Sequence, residues 1–270
     1  MVKAEPQHRK RLNQKQLSLL HIIYRFRFVT TDLVARYQGK SNSTTVYPRL
    51  ATLMEQGYIG QNYSPEYRLR GQYATYYLLP PGIRALKKRT DVAYSSKVLH
   101  NILADRDASE QFINHNLEVF EAYCQMKTHY GDRLQFFTKS DLAAHEHDHF
   151  PSPLPDAYIR LESDGEVRQY FLDLHHETRP FFVATRRLKQ YAAHADSKEW
   201  EATDSELPKV LALCDTQTMQ KRLQKRIAKE DHSNLNFLTT TKDALKKLAD
   251  NANVWQPVSE PEALQSLEAA

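Results

Sequence analysis

LPDAYIRLESDGEVRQYFLDLHHET, residues 154–178, decides how the second half of this chain folds. We predict two strands, Ala157 to Leu161 and Val167 to Leu174, on either side of a turn. Asp164-Gly165 between them is typical of a two-residue hairpin turn. That turn brings Asp156 directly opposite Asp173, with Cβ atoms about 5 Å apart on one face of the sheet.

Side chains two positions apart on a strand share a face, so His175 lies on the same face as Asp173. Two facing carboxylates repel each other unless a divalent cation or a nearby basic group compensates them. The sequence leaves two interpretations open. The face is either a charged site of this kind or an ordinary solvated surface.

The remainder of the second half alternates helices and strands. An antiparallel start followed by strand-helix units predicts an α/β domain built on a mixed sheet with helices on its faces. The predicted helices are 112–128, 181–195, 216–229 and 241–249, and the further strands are 134–137, 209–214 and 235–238.

The first 90 residues predict a different, mainly helical unit. Helical periodicity and capping residues give helices at 14–28, 31–37 and 44–56, with a glycine turn at Gln38-Gly39-Lys40 before the third. Two strand-like runs follow at 58–63 and 73–79, separated by a basic loop. This order is that of a winged helix-turn-helix domain.

In such a domain the start of the third helix enters the major groove of DNA. Pro48 is tolerated there because the first amides of a helix lack helical partners. A winged helix that binds protein instead of DNA is the alternative. The predicted DNA-contacting residues are Ser43, Thr44, Thr45, Tyr47 and Arg49 on the third helix, with Arg68 and Arg70 in the wing.

The charge distribution favours DNA over protein as the partner of the first unit. Residues 1–90 carry 16 Lys and Arg against 4 Asp and Glu, a balance of +12, whereas residues 91–270 have 21 against 29, a balance of −8. Local clustering of cations is what neutralisation of phosphates requires. Double-stranded DNA is therefore the predicted partner.

Four segments follow from these patterns: a winged helix at 10–90, a connector at 91–111, an α/β domain at 112–250 and a tail at 251–270. No membrane span or secretory signal is recognisable, so we expect a cytoplasmic protein without membrane contacts. Cys124 and Cys214 lie in apolar contexts that predict buried, reduced thiols. With 7 glycines, the chain lacks a phosphate-binding glycine loop.

The hairpin, the following helix ATRRLKQY and the strand PKVLALCDT resemble the P-D…D/E-x-K core of restriction-endonuclease-like domains. A winged helix joined to this core resembles the replication-relaxation family of plasmids and other mobile elements. The resemblance implies that Asp156 and Asp173 would hold Mg²⁺ in an active member. The expected lysine is replaced by His175; Lys189 is a candidate substitute, and Glu118 a candidate further ligand.

Together with the winged helix that binds protein instead of DNA, three functions remain after this resemblance. The favoured one is a DNA-binding protein of a mobile element in replication, DNA relaxation or its transcriptional control, with a non-catalytic nuclease-like domain. The alternative is a Mg²⁺-dependent endonuclease that uses Asp156 and Asp173, with His175 or Lys189. Replication or relaxase proteins are candidate partners, and the sequence leaves both a monomer and a homodimer open. The histidine-rich run 145–149 is either a metal site or, in our preferred interpretation, a polar loop.

Overall fold

The computed structural model describes residues 11–63, 69, 71, 73–145, 148–229 and 235–269. It divides into two compact units: the first runs to Cys124 and includes Ala143–His145, and the second contains Gln125–Leu142 and the residues that follow 145. None of the described helices is both long and apolar enough to cross a lipid bilayer.

The first unit contains three helices followed by a two-stranded antiparallel sheet, in which Ile59 pairs with Leu78 and Asn62 with Thr75. Further helices follow the sheet. The elements are α1 (Gln14–Phe26), α2 (Thr31–Tyr37), α3 (Tyr47–Glu55), β1 (Ile59–Asn62), β2 (Thr75–Leu78), α4 (Pro80–Lys87), α5 (Ser96–Asn101), a 3-10 turn (Ile102–Asp107) and the start of α6 (Glu110–Tyr130).

Capping explains where the first helices begin. Asn13 and Gln16 form a capping box at the start of α1, and Thr30 caps α2 by accepting from the amide of Leu33. The predicted start of α3 at residue 44 was wrong. Residues 43–46 form a turn, and the helix begins at Tyr47 with Pro48 in its first turn, without a side-chain cap.

Residues 91–111, predicted to be a connector, are packed into the first unit. Asp105 is buried and accepts a hydrogen bond of 2.9 Å from Nε of Arg27 at the end of α1. The ring of Tyr94 meets that of Tyr24 edge-on at 4.8 Å. Because these contacts tie the segment to α1, it is part of the unit's core.

The second unit confirms the predicted mixed α/β fold. Within the described residues its sheet has six strands in the order β3-β4-β5-β6-β7-β8. The β5–β6 and β6–β7 pairs are parallel and the others are antiparallel. Its elements are the end of α6, β3 (Leu134–Thr138), α7 (Lys139–Leu142), β4 (Ala157–Ser163), β5 (Glu166–His175), α8 (Phe181–Ser197), a 3-10 turn (Glu199–Thr203), β6 (Lys209–Cys214), α9 (Gln217–Ile227), β7 (Phe237–Thr241), α10 (Lys242–Leu245) and β8 (Gln256–Pro257).

The register of the β4–β5 hairpin is the one predicted from its turn. Ser163 pairs with Glu166, and the pairing runs without a break to Ala157 opposite Leu172. The turn residues Asp164 and Gly165 have φ angles of 54° and 83°. Two successive positive φ angles characterise the type I′ turn, which matches the twist of the two strands.

Both faces of this sheet are covered. The alternate residues Ile159, Leu161, Tyr170 and Leu172 are fully buried on one face. On the other face Tyr158 and Phe171 belong to an apolar cluster. That cluster also contains Leu188 and Tyr191 of α8, Leu223 of α9 and Trp200. The face that carries Asp173 is therefore an interior surface and not a solvated one.

The segment 251–269, predicted to be a tail, belongs to the folded second unit. Strand β8 pairs with β7, and Trp255 and Leu267 are fully buried. The hydroxyl of Tyr170 on β5 donates to the carbonyl of Leu267 at 2.6 Å. The segment is folded, and not a tail, because apolar side chains after residue 250 are buried.

The hairpin turn can be tested by substitution of Gly165. Gly165→Ala places a side chain at φ +83°, and we expect it to lower the free energy of unfolding by about 1–2 kcal/mol. The control Glu162→Ala, at an exposed position of β4, should change it by less than about 0.5 kcal/mol. Urea denaturation measures both. Equal effects would contradict the turn described here.

Candidate functional site

The structure brings the two predicted aspartates together at the start of β4. The amide of Asp156 donates to Oδ1 of Asp173 at 3.1 Å, and the amide of Leu174 donates to Oδ2 of Asp156 at 3.0 Å. Each carboxylate is thus bound by the backbone of the neighbouring strand. Their side chains are 10% and 8% exposed, so they are largely shielded from water.

An arginine that the sequence analysis did not single out neutralises this pair. Nε of Arg187 on α8 is within hydrogen-bonding distance of Oδ2 of Asp173, and a second guanidinium nitrogen lies 3.5 Å from Oδ1. The same guanidinium donates to the carbonyl of Pro153 at 2.6 Å and to the hydroxyl of Tyr191 at 2.9 Å. Several partners therefore hold Arg187 in one position.

A lysine provides the second positive charge. Nζ of Lys139 lies 3.2 Å from Oδ1 of Asp156. Thr138, the last residue of β3, pairs with Ala157, so the β3–β4 register brings the next residue, Lys139, opposite Asp156. Lys139 is half exposed and Arg187 is nearly buried. The charge of Lys139 is therefore hydrated, whereas that of Arg187 is largely shielded from water.

Electrostatics keep Arg187 charged despite its burial. Burial alone would lower the pKa of Arg187, but the charge of Asp173, with a smaller contribution from Asp156, outweighs burial and raises that pKa above its usual value. Burial, reinforced by the charge of Asp173, also raises the pKa of the Tyr191 hydroxyl well above its ordinary value. Tyr191 therefore stays neutral and Arg187 stays cationic at any physiological pH.

The arrangement does not fit a Mg²⁺ ion. All four oxygens of Asp156 and Asp173 accept hydrogen bonds, from Arg187, Lys139 and two backbone amides. A cation bound between the carboxylates would have to displace Arg187 or lie against its positive charge. Among the described residues, no three His, Cys, Asp or Glu side chains are grouped so that they could share a metal ion.

The other predicted site residues are distributed more widely. His175 is buried on β5, on the same face as Asp173. Lys189 is exposed on α8, on a different side of that helix from Arg187. Glu118 belongs to the first unit, whereas the aspartates belong to the second. Two residues of the histidine-rich run, 146 and 147, lie outside the described residues.

Helical periodicity could have identified Arg187. The buried positions of α8 include Ala184, Leu188 and Tyr191, and residue 187 lies within that stripe at i+3 from Ala184. An arginine in a buried stripe requires a buried anion as partner. Lys139 was harder to predict, because no tight turn joins β3 to β4 and their register could not be counted.

A second candidate surface lies at the start of α3 in the first unit. Thr44 and Thr45 are exposed, and Ser43 and Arg49 are partly exposed. The aromatic ring of Tyr47 is 57% exposed, which is unusual for a large apolar side chain. The predicted wing residues Arg68 and Arg70 lie outside the described residues.

Comparison with known proteins identifies the family. Residues 20–210 match the model of the replication-relaxation family, and the chain belongs to that family. A search of curated proteins finds no match.

Among solved structures, the chain matches two structures of the restriction endonuclease FokI, the second of them bound to DNA, at 11% identity with TM-scores of 0.35 and 0.31. These matches cover 87% of this chain and 44% of each FokI chain, so the matched part spans less than half the length of FokI.

Removal of Arg187 tests whether it neutralises the carboxylates. Arg187→Ala leaves Asp173 buried without its cation, and we expect it to lower the free energy of unfolding by about 3–5 kcal/mol. Arg186→Ala, at the exposed neighbouring position, is the control and should cost less than about 0.5 kcal/mol. Chemical denaturation gives both values.

A double variant separates the ion pair from packing. If the cost arises from an unpaired charge, Asp173→Ala combined with Arg187→Ala should be less destabilising than the sum of the two single changes. Strict additivity would argue against the pair as the cause.

Proposed function

We propose that this chain is a DNA-binding protein of a plasmid or other mobile element, which acts in replication, DNA relaxation or its transcriptional control. Its first unit is a winged helix-turn-helix domain, and its second unit is a nuclease-like domain without catalytic activity. Membership of the replication-relaxation family supports the biological setting. The observation that carries the proposal is the exposed start of α3.

The start of α3 has the properties of a DNA-reading helix. Hydroxyl groups of Thr44 and Thr45 and the guanidinium of Arg49 can donate to phosphates and base edges. The buried side chains Leu50 and Leu53 attach the opposite face of α3 to the unit. Gly39, with a φ of 66°, forms the turn after α2. Helix, turn and second helix in this order are the elements of a helix-turn-helix.

The sheet of the first unit supports the winged variant. Val29, between α1 and α2, exchanges two backbone hydrogen bonds with Tyr76 of β2, at 3.1 and 2.8 Å. This bridge adds a third extended segment beside the β1–β2 hairpin, as in many winged helices. The hairpin's loop, with Arg68 and Arg70, would be the wing. Tyr63 and Tyr73, which flank this loop, are 50% and 66% exposed.

The charge of the first 90 residues, +12, supports DNA rather than protein as the ligand. A surface that binds protein is depleted in lysine and has an apolar centre. The exposed residues at the start of α3 are instead mainly hydroxyl-bearing and cationic.

The ion pairs of Asp156 and Asp173 support a second unit without catalytic activity. In an active nuclease-like core these carboxylates would hold Mg²⁺, which polarises the phosphate and activates water. Arg187 takes the position next to Asp173, and the residue expected to be a lysine is His175. Charge neutralisation by arginine maintains the fold without a metal ion.

Substitution of Arg49 tests the DNA-binding proposal. Because the guanidinium would contact a phosphate or a guanine, Arg49→Ala should weaken binding to the preferred duplex by about tenfold or more. Arg106→Ala, an exposed arginine of the first unit outside α3, is the matched control and should have a smaller effect. Fluorescence anisotropy with duplexes selected from a random pool measures both. Failure of the native chain to bind any duplex at low salt would refute the proposal.

The Mg²⁺-dependent endonuclease is the second candidate, because the structure does bring Asp156 and Asp173 together. We expect the purified chain to leave supercoiled plasmid intact in the presence of Mg²⁺ or Mn²⁺. Gel electrophoresis detects nicked and linear forms. Cleavage by the native chain that Asp173→Ala abolishes would establish the endonuclease and reverse our ranking.

The proposed partners are double-stranded DNA and the replication or relaxase proteins of the same element. A homodimer would let two α3 helices read two half-sites about one helical turn apart. Light scattering with and without the selected duplex distinguishes a dimer from a monomer.

A further inference from the structure

The first unit contains a cleft of about 510 Å³ whose described lining residues do not include any residue of α3. Its walls come from the residues before α1, from α4 and from Tyr58. Leu17 and Tyr58 contribute apolar surface. The basic lining residues are Arg11, Arg84, Lys88 and Arg89, and none of the described lining residues is acidic.

Most of this positive charge is uncompensated within the described part of the chain. Arg89 pairs with Asp91, which reduces its net contribution. Arg11, Arg84 and Lys88 are exposed, and among the described residues none of them forms an ion pair. Three cations around one concavity repel each other, so an anion bound there would be stabilised.

The fold builds this cleft in a defined way. Ile83 and Leu86 bury one face of α4, which leaves Arg84 and Lys88, four residues apart, on an exposed face. Gly82 allows α4 to approach Tyr58 closely, because a Cβ at this position would lie 2.4 Å from the Tyr58 carbonyl oxygen. The wall made by α4 is therefore fixed by backbone packing.

Helix-dipole stabilisation does not explain the whole cluster. Cations in the last turn of a helix interact favourably with its carbonyl end, which accounts for Lys88 and Arg89 beside the end of α4. Arg84 also lies in the last turn of α4, whereas Arg11 comes from a different segment. The convergence of Arg11 on the same cleft as the cations of α4 requires another reason.

We infer that this cleft binds the phosphodiester backbone of DNA at a site additional to α3. The inference rests on the proposed function and extends it. Three of the four basic residues are arginines, whose planar guanidinium groups bind phosphates with two parallel hydrogen bonds. The cleft is far larger than a single phosphate, and its cations come from two separate segments of the chain, so a chain of anionic groups fits better than an isolated ion.

The salt dependence of DNA binding tests this site. Each neutralised phosphate contributes about 0.9 to the slope of log K against log salt, so the triple change Arg11→Ala, Arg84→Ala and Lys88→Ala should lower the slope by about 2–3. The matched control Lys15→Ala, Lys87→Ala and Lys97→Ala removes the same charge at exposed positions of this unit outside the cleft. We expect the control to change the slope by less than about 1. Fluorescence anisotropy of the full chain with duplex DNA from about 50 to 200 mM salt provides the slopes.

A single variant tests the same site in case the triple variant does not fold. Arg84→Ala alone should lower the slope by about 1. A thermal unfolding midpoint close to that of the native chain checks that each variant folds.

The outcomes separate this inference from the proposed function. Equal slopes for the cleft variant and its control would overturn the inference, even if Arg49→Ala weakens binding and the proposed function stands. Absence of DNA binding by the native chain would overturn both. A cleft variant that retains DNA binding but loses binding of fluorescent polyglutamate would assign the cleft to an acidic polypeptide and overturn the inference as well.

Discussion

Two carboxylates in the interior of the second unit impose a requirement that the surrounding structure has to meet. An uncompensated buried charge costs several kcal/mol, so Asp156 and Asp173 need cations or a metal ion beside them. Arg187 and Lys139 supply that charge, from α8 and from the end of β3. The positions of α8 and β3 relative to the β4–β5 hairpin are therefore coupled to the same electrostatic condition. All four carboxylate oxygens are engaged by these two cations or by backbone amides.

Much of the second unit could be predicted because residues close together in the sequence determine its strand register. A two-residue Asp-Gly turn determines the register of β4 and β5, and so the proximity of Asp156 and Asp173. The pairing of strands that lie far apart in the sequence produces no comparable sequence pattern. Lys139 reaches Asp156 through a strand pair whose connection spans residues 139–156. The resemblance to a nuclease core points to Lys189, whereas helical periodicity favours Arg187 as the inward-facing residue.

The boundaries of the first unit were harder to predict than its helices and strands. The sequence predicts α1 and α2 well because Asn13 and Thr30 are strong caps. It does not reveal that residues 91–111 pack back onto α1. That packing depends on the buried pair of Arg27 with Asp105, two residues that are 78 positions apart. An ion pair between residues so far apart produces no periodic pattern in the sequence. The winged-helix interpretation and the DNA-contacting residues of α3 accordingly remain proposals.

Strand β8 is formed by two residues at the far side of the sheet, where it covers part of β7. Outermost strands offer unpaired amides and carbonyls to other chains, which promotes aggregation. Trp255 and Leu267 anchor the segments around β8 by burying their side chains. A shortened protein that ends before Trp255 would expose β7 along its length and create a template for intermolecular strand pairing. Residues 255–267 thus shield this edge of β7 from intermolecular strand pairing.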